Sequence, residues 1–529
     1  MKKITLFLLI PFYAFAQQPT CDILVSNGKI IDGTGNNWYR GDIAIKDGKI
    51  IGLGPKLNYS ANKTIDASNM VVAPGFIDVH THIEDDETRD PMAHSFIYDG
   101  VTTCITGNCG QSNVDIEKYL RGIDSIRLSI NVASLIGHND VRKAVMGRAN
   151  RDATAEEQQK MEALVEKAMK DGAVGMSTGL IYIPGTYTKT PEIIALAKQA
   201  AKYNGVYVSH MRNEGDKVAE AIEEAVTIGR EAKIPVEISH FKLSGQQNWG
   251  RSKETLGLVK KAREQGIDVT IDQYPYTASS TSISTLIPDE ILADGQDSIK
   301  ARLQRPEVKK YVIREMLSRL KKRKLKHFSY AVVAYHRPDT TYNGKSIEEI
   351  NLMKGRKHKA KAEAETVIDI MIAGGASAVF HGMGEEDVKR IMQYPFNMFA
   401  SDASIRVLNS GMPHPRGYGT NARVLGKYVR EENVISLEEA IRRMTSLPAQ
   451  KFQLRDRGLL REGFAADMVI FDENEVKDLA TFDKPHAYSK GFHYVLVNGV
   501  LTVENEKHTG AKAGKALYGP GYSGTKKAF

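Results

Sequence analysis

Hydrophobic and polar residues alternate with a period of two at both ends of the chain. DILVSNGKIIDGTG and DIAIKDGKIIGLG lie near the start, and HYVLVNGVLTVENEK lies near the end. They carry Asn27-Gly28, Asp47-Gly48 and Asn498-Gly499. An Asn-Gly or Asp-Gly pair between alternating apolar residues is a hairpin signal, because the turn needs positive φ at both positions. The two ends therefore predict strands of one small β domain, a sandwich built from residues 17–72 and from 456–529, the latter including a tail, with its strands in about 21–72 and 456–510.

Between these ends the pattern changes. Short apolar runs recur: VVAPGFIDVHTH, VTTCITGNCG, INVASLIGHND, AVGMSTGL, VYVSHMR, VEISHFKLSG, IDVTIDQYPY and MFASDAS. Stretches with helical periodicity, such as AEEQQKMEALVEKAMKDG and KETLGLVKKAREQG, separate most of them. Strands alternating with helices predict an α/β fold with a parallel sheet, and eight of them predict a (β/α)8 barrel. The barrel spans residues 73–287 and 377–455. The lysine-rich helical stretch 288–376, between the seventh and eighth strands, is too long for a loop and is read as an inserted subdomain.

Composition narrows the class. With 42% hydrophobic and 26% charged residues the chain is an ordinary globular protein. Its net charge of +8 is dispersed, and the densest basic run, Arg319 to His327, is read as a solvated helix face rather than a nucleic-acid surface. Residues 1–16 have the pattern of an export signal: Lys2 and Lys3, an apolar run from Ile4 to Phe15, and a small-x-small site at Ala14-Phe15-Ala16. They predict a periplasmic or secreted protein, free of the membrane after cleavage. Cys21, Cys104 and Cys109 make a poor disulfide set and leave an odd thiol open to another task.

The chemistry gathers at the predicted C-terminal ends of the strands, where barrels place catalytic groups. His80 and His82 end the first strand, Cys109 follows the second, His210 and His240 end the fifth and sixth, and Asp402 ends the eighth. Imidazole, thiolate and carboxylate donors suit zinc. Taken singly, each residue also has a plain structural reading; together they point to metal binding.

These residues lie in motifs with a family likeness. APGFIDVHTH resembles the amidohydrolase superfamily. GVTTCITGNCG, SHMRNEG, ISHFK, DQYPYTASS, SDAS, HPRGYGT and GLLREGFAADMVIFD resemble the N-acyl-D-amino-acid deacylase (D-aminoacylase) family, over about residues 22–514. The resemblance implies zinc held tightly by Cys109, His210 and His240. It also implies a second, weaker position formed by His80, His82 and Asp402, with Asp402 as general base. The substrate it implies is a small N-acyl-D-amino acid. Tyr182, Tyr274 and Ser280 fall at motif positions that line the carboxylate or carbonyl pocket of similar deacylases. Lys242, two residues past His240, is expected on the same side by strand alternation and is read as a cation for the substrate's free carboxylate. Arg416 suits bidentate carboxylate binding, and Met383 is placed to pack on the acyl or side-chain group. His138, Asp140, His381 and His414 lie near the mouth without a paired role. Phe241, where relatives often carry histidine, and the end of HPRGYGTNAR depart from the family pattern and bear on substrate preference. Two alternatives remain at this level: a hydrolase of cyclic amides or isoaspartyl dipeptides, and an exported metal-binding protein. The first is disfavoured by Cys109 and by the lack of a lysine in AVGMSTGL and INVASLIGHND.

Overall fold

The computed structural model describes residues 18–524; the export-signal stretch lies outside the described residues. Eight parallel strands form the barrel: Phe76–Asp78, Val101–Thr106, Asn131–Ser134, Gly175–Gly179, Val206–His210, Val236–Ile238, Val269–Gln273 and Asn397–Phe399. Ile136–Gly137 continues the third strand alongside the fourth. Closure from the eighth strand to the first lies just beyond the strand ends. There Thr81 bridges Ala403, and the Asp402 amide donates to the His80 carbonyl at 2.9 Å. The surrounding helices bury one apolar face each. Helix Ala155–Lys170, for example, starts with a Thr154/Glu157 capping box and buries Met161, Val165, Ala168 and Met169.

The two ends of the chain share one mixed nine-stranded sheet. The long strand Thr20–Ile30 pairs with Ser60–Asp66 over its first half and with Val71–Pro74 over its last residues, so the sheet folds over at that strand. Ile23, Val25, Ile43, Ile45, Met468 and Ile470 fill the interior. Asp47-Gly48 and Asn498-Gly499 make hairpin turns with positive φ, as the pattern predicts. Asn27-Gly28 does not. It forms an irregularity inside one continuous strand, where Asn27 has φ 61° and a Cβ on Gly28 would stand 2.6 Å from Val72. Close backbone approach, not a turn, is what this glycine serves. Residues 514–519 run beneath the barrel, with the Val132 amide donating to the Lys515 carbonyl at 3.0 Å and the Leu517 amide to the Val132 carbonyl at 2.8 Å.

The insertion has its own apolar core, including Ile299, Val312, Met316, Phe328, Ile347, Val367 and Met371. It is not purely helical. Ala278–Ser282 and Ala331–Tyr335 flank Ser377–His381 in an antiparallel sheet, so the unit takes in residues on both sides of 288–376. The polar run ASSTS and the short SAVFH carry a weak strand signal alone; their cross-strand pairing defines them.

Candidate active site

Six ligand-type side chains converge at the C-terminal mouth. Cys109 Sγ lies 3.3 Å from His80 Nε2, 3.4 Å from His210 Nδ1 and 3.8 Å from His240 Nε2. His240 Nε2 and His210 Nδ1 are 2.8 Å apart. A tetrahedral zinc ion, with Zn–S about 2.3 Å and Zn–N about 2.0–2.1 Å, sets its donors about 3.3–3.6 Å from one another. In the Cys109–His210–His240 triangle the Cys109–His210 edge matches that dimension, the Cys109–His240 edge is slightly longer and the His210–His240 edge is shorter. His80 Nε2 and His82 Nε2 lie 3.6 and 3.2 Å from Asp402 Oδ1, so His80, His82 and Asp402 form a second trio beside the first.

Local backbone places these groups. Only His210 lies within its strand; the others occupy the first residues after a strand end. Cys109, His240 and Asp402 have φ of 53°, 36° and 50°. Left-handed backbone at non-glycine residues is costly and tends to gather at functional sites. Gly110 comes next at φ 76°, where a Cβ would meet Asn139 Oδ1 at 2.2 Å. The GNCG turn thus packs tightly against its neighbours and turns the thiol inward.

Buried acids behind the ligands hold them in place, and sequence reasoning did not single these out. Asp272 is fully buried; its Oδ1 accepts the His240 amide at 2.8 Å and its Oδ2 lies 3.3 Å from His80 Nδ1. Asp78 accepts the amides of His80 and Ser401, each at 3.1 Å, and burial pushes its carboxyl up to about 6. Glu214 Oε1 lies 2.9 Å from His240 Nδ1 and pairs with Lys242. Burial opposes its ionisation, but Lys242 and His240 hold its carboxyl well below the usual range. Asp272 and Glu214 occur within DQYPY and RNEG, yet only cross-strand packing shows that they back the histidines.

The two barrel thiols differ sharply. Burial pushes the Cys104 thiol well up, as for an inert core cysteine. Cys109 is equally buried, but His80 and His210 outweigh that and hold its thiol well below the ordinary value. A thiolate at the barrel mouth is a metal ligand or a nucleophile. Asp402 is likewise held low: burial works against it, and Arg416, His80 and His82 overcome that.

The expected substrate residues take varied positions. Lys242 is not on a continuing strand, so alternation does not set its direction. Its ammonium turns back to donate to the His240 carbonyl at 2.7 Å and is engaged by Glu214. Arg416 Nη1 lies 2.9 Å from Asp402 Oδ2, an ion-pair distance without hydrogen-bond alignment, and Nη1 and Nε have no aligned acceptor. Its guanidinium sits 4.4 Å over the Tyr274 ring, whose buried hydroxyl also lacks a partner. Tyr182 Oη bonds Thr281 Oγ1 at 2.9 Å. Ser279, Thr281 and Met383 line a cleft of about 590 Å³ that Glu214 also lines. Ser280 lies between the two cleft hydroxyls and gives its carbonyl to Arg416 Nη2 at 3.3 Å.

His414 accepts the Arg416 amide at 3.0 Å, and His138 pairs with Glu192 at 3.0 Å. Asp140 accepts the Ser112 amide at 3.1 Å, while His381 lines the cleft. Arg319, Lys322 and Arg323 also line it, so part of the basic run faces the cleft rather than solvent alone.

Residues 63–503 match the amidohydrolase family. The chain belongs to that family. It is 34% identical to the D-aminoacylase of Alcaligenes xylosoxydans xylosoxydans, over 94% of this chain and 97% of that one. It is also 34% identical to the N-acyl-D-glutamate deacylase of the same organism, over 91% and 93% of the two chains. Among solved structures, the N-acyl-D-glutamate deacylase of Bordetella bronchiseptica, complexed with zinc and a phosphonate mimic of the tetrahedral intermediate, superposes with a TM-score of 0.81. That match has 34% identity and covers 94% of this chain and all of the other. The sequence resemblance to D-aminoacylases and the barrel-plus-sandwich fold both hold.

Proposed function

We propose that the chain is a zinc-dependent deacylase that hydrolyses N-acyl-D-amino acids to a carboxylate and a free D-amino acid. The observation that carries this reading is the meeting, in one mouth, of a low-pKa thiol with His210 and His240, of Asp402, and of buried Arg416 and Tyr274 donors without aligned acceptors. A wholly structural zinc site is closed by four protein ligands; a zinc held by Cys109, His210 and His240 would keep a fourth position for chemistry.

In this reading Cys109, His210 and His240 hold the tight zinc, and His80, His82 and Asp402 offer the second position. Zinc held there supplies Lewis acidity, lowering the pKa of a water towards neutrality and polarising the scissile carbonyl. Asp402 takes the proton of the attacking water at a carboxylate oxygen and passes it to the leaving nitrogen. His82 and Arg416 orient that carboxylate. Arg416 and Tyr274 receive the substrate carboxylate, since a guanidinium fork matches a carboxylate bidentately. Lys242, engaged by Glu214, supports the site through His240 as well as through charge. Met383 and the cleft walls take the acyl or side-chain group. Export of the protein, read from residues 1–16, is part of the proposal. No helix among the described residues is long and apolar enough to cross a membrane.

The test is a panel of N-acetyl-D-amino acids, N-acetyl-L-amino acids, hydantoins and isoaspartyl dipeptides, scored for product release by the zinc-loaded protein. Turnover concentrated on the D-acyl compounds supports the reading; turnover of cyclic amides alone rejects it.

A further inference from the structure

Outside the barrel mouth, the insertion brings together a second group of ligand-type side chains. His327 lies on the segment after helix Pro306–Lys322. Glu348 sits in the first turn of helix Ile347–Met353, and Glu363 in the first turn of helix Ala360–Ile372. His358 lies on the loop between these two helices. Each offers one donor atom, and the four atoms lie within 4.8 Å of one another.

His327 Nδ1 is 2.6 Å from Glu363 Oε1 and 3.7 Å from Glu348 Oε1, and His358 Nε2 contacts the same Glu348 oxygen. The His327–Glu348 separation is near the donor spacing of about 3.3 Å that tetrahedral zinc with nitrogen and oxygen ligands requires, while the His327–Glu363 and His358–Glu348 contacts are at hydrogen-bond distance and would open around an ion. The Glu363 carboxylate is fully buried, and its second oxygen accepts the Phe328 amide at 2.8 Å, which fixes its orientation. The His327 and His358 rings stack at 4.2 Å with an interplanar angle of 23°. Two imidazoles and two carboxylates converging in this way make a donor set suited to a divalent cation. Neighbouring Lys354 and Arg356 are both paired with Asp369.

We propose that His327, Glu348, His358 and Glu363 form a structural divalent-metal site, with zinc the ion best suited to two imidazoles and two carboxylates. The site ties the chain leaving helix Pro306–Lys322 to two other helices of the insertion. That helix carries Arg319 and Lys322 to the wall of the cleft that Glu214 and Met383 also line, so the metal would brace that wall without touching the reacting groups.

The test uses the full chain, wild type and His327→Gln/His358→Gln, with His358→Gln as a milder variant. Each is dialysed against the same low-micromolar free zinc, and bound metal per chain is counted by elemental mass spectrometry. Turnover of N-acetyl-D-methionine reports separately on the active centre. The expected result is one zinc fewer in the double variant with turnover retained, and a zinc-dependent rise in unfolding midpoint that is reduced in His358→Gln and lost in the double variant. Equal metal content in all three proteins, with equal response of the unfolding midpoint to zinc, would overturn the site and leave the four residues as an ion-pair network.

Discussion

Arg416 joins the proposed base to the proposed carboxylate pocket, and Arg416→Met separates those two roles. The guanidinium and the Asp402 carboxylate are 2.9 Å apart, with side-chain exposures of only 5% and 10%. Nη1 and Nε are without aligned acceptors, so they remain available to the substrate. Losing charge-assisted hydrogen bonds to a carboxylate costs about 1.5–3 kcal/mol. At about 1.4 kcal/mol per tenfold, that is a fall of roughly 10- to 150-fold in kcat/KM. The fall should be largest for N-acetyl-D-methionine and small for its amide, which lacks the carboxylate. Arg416→Lys should fall between wild type and Arg416→Met, because lysine keeps the charge but not the planar fork.

The same substitution shifts the pH dependence with a definite sign. Arg416 is the leading group that holds the Asp402 carboxyl low against burial, so its removal raises that pKa. A base must be ionised, and the acid limb of the kcat/KM profile therefore moves to higher pH. Steady-state kinetics on both substrates across the acid range measure both effects. If the acid and its amide lose activity equally and the acid limb stays in place, the assigned role of Arg416 is wrong.

Cys109→Ala should keep its fold but lose tightly bound zinc and nearly all turnover; metal content after dialysis decides it, and full retention would sink the ligand assignment. Asp402→Ala should retain zinc at Cys109, His210 and His240 while turnover falls about 10²–10⁴-fold, the usual worth of a positioned base; single-turnover hydrolysis within a few-fold of wild type would contradict that. Asp272→Asn should weaken metal affinity by about 10- to 100-fold, as loss of a ligand-orienting partner generally does; an unchanged affinity in competition with a chelator would show that Asp272 is mere packing.

Much of the site was legible because its ligands lie at or just past strand ends, where the order of apolar runs locates them. His80, His82, Cys109, His210, His240 and Asp402 all reach one mouth. The supporting acids were not legible. Asp272 contacts His80 across 192 residues of sequence, and that adjacency arises only when the barrel closes. Lys242 shows the limit of period-two reasoning: the strand ends at Ile238, and positive φ at His240 redirects the residues after it. Asn27-Gly28 has the letters of a hairpin but the role of a close contact inside a strand. The three-stranded sheet of the insertion was hidden because ASSTS is polar and half-buried, so no apolar alternation marks it. Arg319 and Lys322 have the pattern of a solvated helix face, and only the packing of the insertion over the barrel turns them toward the cleft.

Chirality gives the most direct test of the proposed deacylase. The scissile carbonyl, the leaving nitrogen beside Asp402 and the carboxylate on Arg416 fix three points of the substrate. The two hands then differ in whether the side chain or the hydrogen meets the pocket wall. The wrong hand must clash or draw its carboxylate away from a buried cation, at a cost of about 2–5 kcal/mol. That is roughly 30-fold to several thousand-fold in rate. The measurement is kcat/KM of the zinc-loaded protein for N-acetyl-D-methionine and N-acetyl-L-methionine under matched conditions. The account predicts that the D isomer is favoured by at least about 30-fold, the lower end of that range; comparable values for the two isomers, or preference for the L isomer, would contradict it.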